Sequence, residues 1–134
     1  MKPRYLLDSA ILIDVLRGVP AGVSWVGELQ PGEAVISVIT RAEVLSGGSD
    51  AEQESAATLC DLFDCIAITQ ETADLASRLR RLRRWKLPDA FQAALAQRHG
   101  LRLVTRNTKD FDQVADAFVL VPYTLRRGRT LTAP

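Results

Sequence analysis

Residues 86–111 read "KLPDAFQAALAQRHGLRLVTRNTKDF", and this stretch decides the fold class. Pro88 suits a first helical turn. An alanine-rich run carries the helix over 88–99, and Gly100 stands where it should stop. The "LRLV" at 101–104 is short and apolar, and reads as a buried strand. A helix joined through one glycine to a buried strand is the unit from which helix-covered parallel sheets are built. The same stretch raises a chemical question. Asp89 lies four and seven residues before Ala93 and Ala96, so it shares the face whose small side chains suit close approach to a sheet. A carboxylate on that face must be paired or must bind something.

The pattern extends outward from this unit. Residues 4–7, 34–38, 65–68, 101–104 and 118–122 read as strands, and 9–17, 21–30, 39–46, 50–63, 70–85 and 88–99 as helices. Gly18 and the Gly47–Gly48 pair fall where helices should end. The alternation predicts an α/β domain in three layers, α/β/α, around a mostly parallel sheet of about five strands. The expected division is one domain over 1–125 and a frayed tail over 126–134.

Composition narrows the class of function. At 134 residues the chain is long enough for one real core. With 17 basic and 16 acidic residues its net charge is +1, so charge alone predicts no partner. No apolar run approaches the ~18 residues of a membrane span, and no leader pattern is present. The expectation is a cytoplasmic protein with no membrane association. Cys60 and Cys65 read as buried small apolar residues, and with His99 the sole histidine they offer little for a soft-metal site.

The acids are placed with more meaning. Asp8 ends the first strand in "YLLDSAILID", and Glu43 lies four residues after Ile39 in "SVITRAEVLSGG". Asn107 and Asp110 follow the strand "LRLVT". Taken singly, Asp8 reads equally as a helix cap, Glu43 as a surface residue, Asp89 as a partner of the helix dipole, and Asn107 and Asp110 as a turn. Taken together, all of them sit where strands end or the following helices begin, and ligands collect outside the carboxyl ends of parallel strands. Carboxylates gathered there repel one another unless a cation neutralises them. Hard oxygen donors without histidine or thiolate suit Mg²⁺ or Mn²⁺, and such a site suits phosphodiester hydrolysis.

"LLDSAILID", "VITRAEVLSG", "LPDAFQAALA" and "LRLVTRNTKDF", in this order and over residues 4 to 122, resemble PIN-domain ribonucleases, especially the VapC-type toxins of bacterial toxin–antitoxin pairs. The resemblance implies a Mg²⁺-dependent endoribonuclease that hydrolyses RNA, forms a homodimer and is neutralised by a small antitoxin protein. It places Asp8, Glu43 and Asp89 as metal-binding acids, with Ser9 as the small hydroxyl residue after the first. Many relatives carry Asp where this chain has Asn107, while Asp110 matches the acid before the motif's Phe. The resemblance thus implies Asp110 as the fourth catalytic acid and Asn107 as a supporting residue, with Asp110 or Asn107 as a further metal contact.

Other readings meet specific obstacles. A dehalogenase-like phosphatase would want a second Asp two residues after Asp8, where Ala10 stands. A receiver domain would want an Asp ending the third strand, where "IAIT" supplies Thr69. The alternative from a different class is a non-catalytic RNA- or protein-binding module built on "RLRRLRRW", with Arg80 and Arg84 as the binding side chains. Arginines at 80, 81, 83 and 84 cannot share one helical stripe, so some are expected to pair with nearby acids.

Overall fold

A computed structural model describes the backbone of residues 2–126 and 129–132, and side chains as far as 125. The elements run in the order β1 (Tyr5–Leu7), α1 (Ser9–Leu16), α2 (Pro20–Gly27), β2 (Ala34–Ser37), α3 (Val38–Ser46), α4 (Asp50–Cys60), β3 (Asp64–Ile66), α5 (Gln70–Arg83), α6 (Leu87–His99), β4 (Arg102–Val104) and β5 (Val119–Leu120). They are followed by β6 (Tyr123–Arg126) and β7 (Arg129–Thr132). Strands β1 to β5 form one sheet in the order β3-β2-β1-β4-β5, with every pairing parallel. The expected three-layer α/β/α architecture is the one observed.

Alternation along each strand builds the layers. Leu6, Val35, Leu103 and Val119 face α5 and α6. Their neighbours Leu7, Ala34, Ile36 and Val104 face α1, α3 and α4. One residue per step changes sides, as a period of two requires. On the first side, Ala90, Ala93, Ala94 and Ala96 of α6 are fully buried, so the alanine face does press against the sheet.

Local chemistry sets where the helices begin. Asp8 caps α1 by accepting from Ser9 N–H, and Ser37 caps α3 by accepting from Thr40 N–H. Pro88 lies in the first turn of α6, and Gly100 closes that helix at φ 64°. Among the described residues no single helix is long and apolar enough to cross a membrane.

Three details differ from the expectation. The strand read at 118–122 is only Val119–Leu120. Part of the segment expected to fray forms β7, antiparallel to β6, while 127, 128, 133 and 134 lie outside the described residues. Cys60 is buried as expected but Cys65 is exposed, because the short β3 lies at the edge of the sheet.

Candidate active site

Parallel register brings two distant segments side by side. Leu7 of β1 pairs with Val104 of β4, so the next residues, Asp8 and Thr105, emerge together at the carboxyl ends. The Asp8 N–H donates to the Val104 carbonyl at 2.9 Å. The fully buried Thr105 donates its hydroxyl to Asp8 Oδ2 at 2.7 Å. Asp8 Oδ1 accepts from Ser9 N–H at 2.9 Å. Both carboxylate oxygens are therefore oriented. The strand order reverses direction between β1 and β4, and ligands bind at such switch points.

The β4–β5 connection supplies the next acid. Asn107 N–H donates to Thr105 Oγ1 at 3.0 Å. The Asn107 amide donates to Asp110 Oδ2 at 3.0 Å, while its oxygen accepts from Asp110 N–H at 3.2 Å. Asn107 thus spends its side chain holding Asp110 in a tight turn. Trp85 Nε1 donates to the Asp110 carbonyl at 2.8 Å, and the Trp85 ring packs at a tilt against Phe111 with ring centroids 4.9 Å apart.

α3 and α6 contribute the rest. Asp8, Ser9, Glu43, Asp89, Asn107 and Asp110 all line one open cleft, together with Lys86 and Gln92. The acids singled out from the sequence thus line one cleft together. Burial pushes the Glu43 carboxyl up, the Asp8 charge adds to this, and the Ser9 side chain opposes it. Asp89 is pushed up to about 6, first by burial and then by Asp8, Asp110 and Glu43, with Lys86 pulling the other way.

Four carboxylates against one ammonium make the cleft attractive to a cation. Among the described residues, no three of His, Cys, Asp and Glu are grouped tightly enough to hold a metal ion unaided. A hard ion such as Mg²⁺ keeps several of its waters, and carboxylates that share an open cleft without converging can reach it through them. The donor chemistry fits such an ion. A softer metal would want the nitrogen or thiolate ligands that this cleft lacks.

The raised Asp89 value makes a prediction about stability. The folded chain holds that proton more tightly than the unfolded chain, whose ordinary value is 3.8. The contribution is therefore fully present below 3.8 and is lost as pH rises through about 6. In chelator, Asp89→Asn should match the parent near pH 4 and exceed its stability by about 1 kcal/mol near pH 7, allowing for a partly exposed carboxyl. Urea midpoints at the two pH values measure this, and equal midpoints at both would remove the electrostatic picture of the cleft.

Arg80 and Arg84 lie elsewhere. Both are exposed, and neither lines the acidic cleft. Of their neighbours, Arg83 pairs with the buried Asp116, with Nη2 3.1 Å from Oδ2, and lies over the Trp85 ring. Part of the basic segment therefore serves the fold. Lys86, Gln92 and Thr105 were not singled out from the sequence. A threonine ending a strand carries no signal beyond its β-propensity, and Gln92 occupies a position that reads as helix core.

A family model described as "PIN domain" matches residues 5–117. A Mycobacterium tuberculosis protein named Ribonuclease VapC10 is 36% identical over 112 residues, covering 79% of this chain and 84% of that one. A Shigella flexneri protein named tRNA(fMet)-specific endonuclease VapC is 28% identical over 121 residues, covering 83% and 92%. Among solved structures, a toxin–antitoxin complex from Klebsiella pneumoniae matches with a TM-score of 0.80 and 37% identity, over 90% of this chain and 99% of that one.

Proposed function

The chain belongs to the PIN domain family, and on that premise we propose that it is the toxin of a toxin–antitoxin pair, a Mg²⁺-dependent endoribonuclease of the cytoplasm. The observation that carries this reading is the meeting of Asp8, Glu43, Asp89 and Asp110, from four separate segments, in one cleft at the strand ends. The relatives' names support ribonuclease activity and the Klebsiella complex supports an antitoxin partner.

In this reading Asp8, Glu43 and Asp89 would hold the divalent ion, Mg²⁺ with Mn²⁺ as substitute, partly through its waters, and Asp110 would add its charge. When bound, such an ion would supply positive charge to the phosphate and to the departing oxygen. The chain's own groups do the rest. Thr105 and the Ser9 N–H fix the angle of the Asp8 carboxylate, and Asn107 fixes Asp110. Lys86 draws an RNA phosphate to the cleft. An antitoxin would close the cleft with a basic side chain, since a guanidinium pairs well with carboxylates. A homodimer completes the assembly.

Incubating the purified full chain with structured RNA, with Mg²⁺ or with chelator, tests this. Cleavage is expected only with the ion. RNA that is bound yet uncut with both Mg²⁺ and Mn²⁺ would leave the non-catalytic binding module as the answer. In the same assay Asp110→Asn should lose far more activity than Asn107→Ala, which keeps the Asp110 charge and loosens only its orientation. The reverse ranking would move the contact to Asn107.

A further inference from the structure

Gln92 lies one turn beyond Asp89 on α6 and lines the acidic cleft. Its side chain is 2% exposed, a setting in which both ends of an amide need partners. Nε2 donates to Thr40 Oγ1 at 2.7 Å. Thr40 gives its own hydroxyl proton to the Leu7 carbonyl at 3.2 Å. A hydroxyl that has given its proton away can only accept, so the amide nitrogen of Gln92 must face Thr40 and its oxygen must face the other way. That oxygen is buried and has no hydrogen-bond partner among the described residues.

Packing does not explain an amide here. Beyond Asp89 this part of α6 is apolar, with Ala93, Ala96 and Leu95 fully buried, and a leucine or methionine would fill the space without leaving an orphaned acceptor. What sets Gln92 apart from those buried alanines and Leu95 is that it lines the same cleft as the carboxylates. A divalent ion polarises its waters into strong donors, and a neutral acceptor can bind them without adding repulsion among four acids.

We propose that Gln92 is a further residue of the cation site, its amide oxygen accepting a hydrogen bond from the hydration shell of the ion held by Asp8, Glu43 and Asp89. This rests on the metal-dependent reading above. Gln92 then acts as a positioning residue: it fixes one water of the shell, and through it the ion's place relative to the carboxylates. The contact with Thr40, capped by Ser37 at the head of α3, ties that acceptor to a rigid point under the cleft.

The test is Mn²⁺ binding by the full chain, followed by the electron paramagnetic resonance of free Mn²⁺, with melting temperature recorded with and without the ion. Gln92→Met keeps length and volume but removes the oxygen. It should weaken Mn²⁺ binding by about tenfold, while the metal-free protein melts at or above the parent. Gln92→Glu keeps the oxygen and adds charge, and should bind Mn²⁺ more tightly than the parent. Parent-like Mn²⁺ affinity in both variants would reduce Gln92 to a structural amide and overturn the proposal alone. A parent chain with no saturable Mn²⁺ binding would overturn the metal-dependent reading together with it. Should Gln92→Met fail to fold, Gln92→Leu, which also lacks the oxygen and is close in volume, decides: weakened Mn²⁺ binding upholds the proposal and parent-like binding ends it.

Discussion

Asp8→Asn is expected to lower RNA cleavage by about 10²–10³-fold, the range for removing one charge-stabilising group from an active site, with the fold intact. The substitution preserves shape and removes charge. Asp8 now accepts from Ser9 N–H and from the Thr105 hydroxyl, and an amide oxygen can keep the first of these. The second is lost or reversed, which costs about 1 kcal/mol. Relief of repulsion with Glu43 and Asp89, whose proton affinities Asp8 raises, offsets that cost. Net stability in chelator should therefore stay near the parent's while activity collapses. Thr105→Val is the natural companion. It leaves the carboxylate and frees its orientation, so it should lose less activity than Asp8→Asn. Circular dichroism and a cleavage assay on the two proteins separate charge from geometry. A folded Asp8→Asn protein cutting at the parent's rate would discard the assignment of this cleft.

The order of the elements was legible because each carries its own local signal. The alanine face of α6, the glycine at its end and the apolar runs of β1, β2 and β4 are near-neighbour patterns. So were the four acids, since each stands at a strand's end or in the helix or loop that follows. What could not be read is whatever lateral pairing creates. Thr105 becomes an orienting group only because β4 lies beside β1, 97 residues away in sequence. Gln92 gains its meaning from Thr40, 52 residues distant. Asn107 read as an acid's replacement or as a turn, and its hydrogen bonds to Asp110 show the turn. Some arginines of the basic segment were expected to pair with acids, and among the described residues Arg83 is the one held, by Asp116 and Trp85. Charge counts do not reveal which arginine has a partner inside its own chain.

Asp14 is the plainest case, and it carries the largest expected stability effect. In sequence it is an acid within the helical run "SAILIDVL", with nothing to mark it as buried. In the structure its side chain is 2% exposed. The Arg106 guanidinium grips it through two nitrogens, Nη2 lying 2.9 Å from Oδ1, and Tyr123 donates its hydroxyl to Oδ2 at 2.8 Å. Burial, and then the Asp14 hydrogen bond and charge, push the Tyr123 phenol well above its ordinary range, so it stays a donor at any physiological pH. α2 closes over the cluster at Gly22, where a Cβ would lie 2.8 Å from the Tyr123 hydroxyl, so that crossing admits no side chain. Asp14→Ala leaves a largely buried cation and a buried phenol without their acceptor. Breaking such a pair from one side costs about 3–5 kcal/mol, and the partial exposure of Arg106 favours the lower end. For a chain of this length that is a fall in Tm of about 10 °C. Tyr123→Phe deletes one donor and should cost only about 1 kcal/mol. Adding Arg106→Met to Asp14→Ala removes the stranded cation, so the double variant should melt above the single one despite carrying one change more. Melting in chelator keeps cation binding from masking these differences. The consequence reaches the cleft as well. Arg106 sits between Thr105 and Asn107, which orient Asp8 and Asp110, so a loosened clasp should lower cleavage at temperatures where the protein is still folded. Asp14→Ala melting with the parent would show that the burial of this charge has no energetic weight.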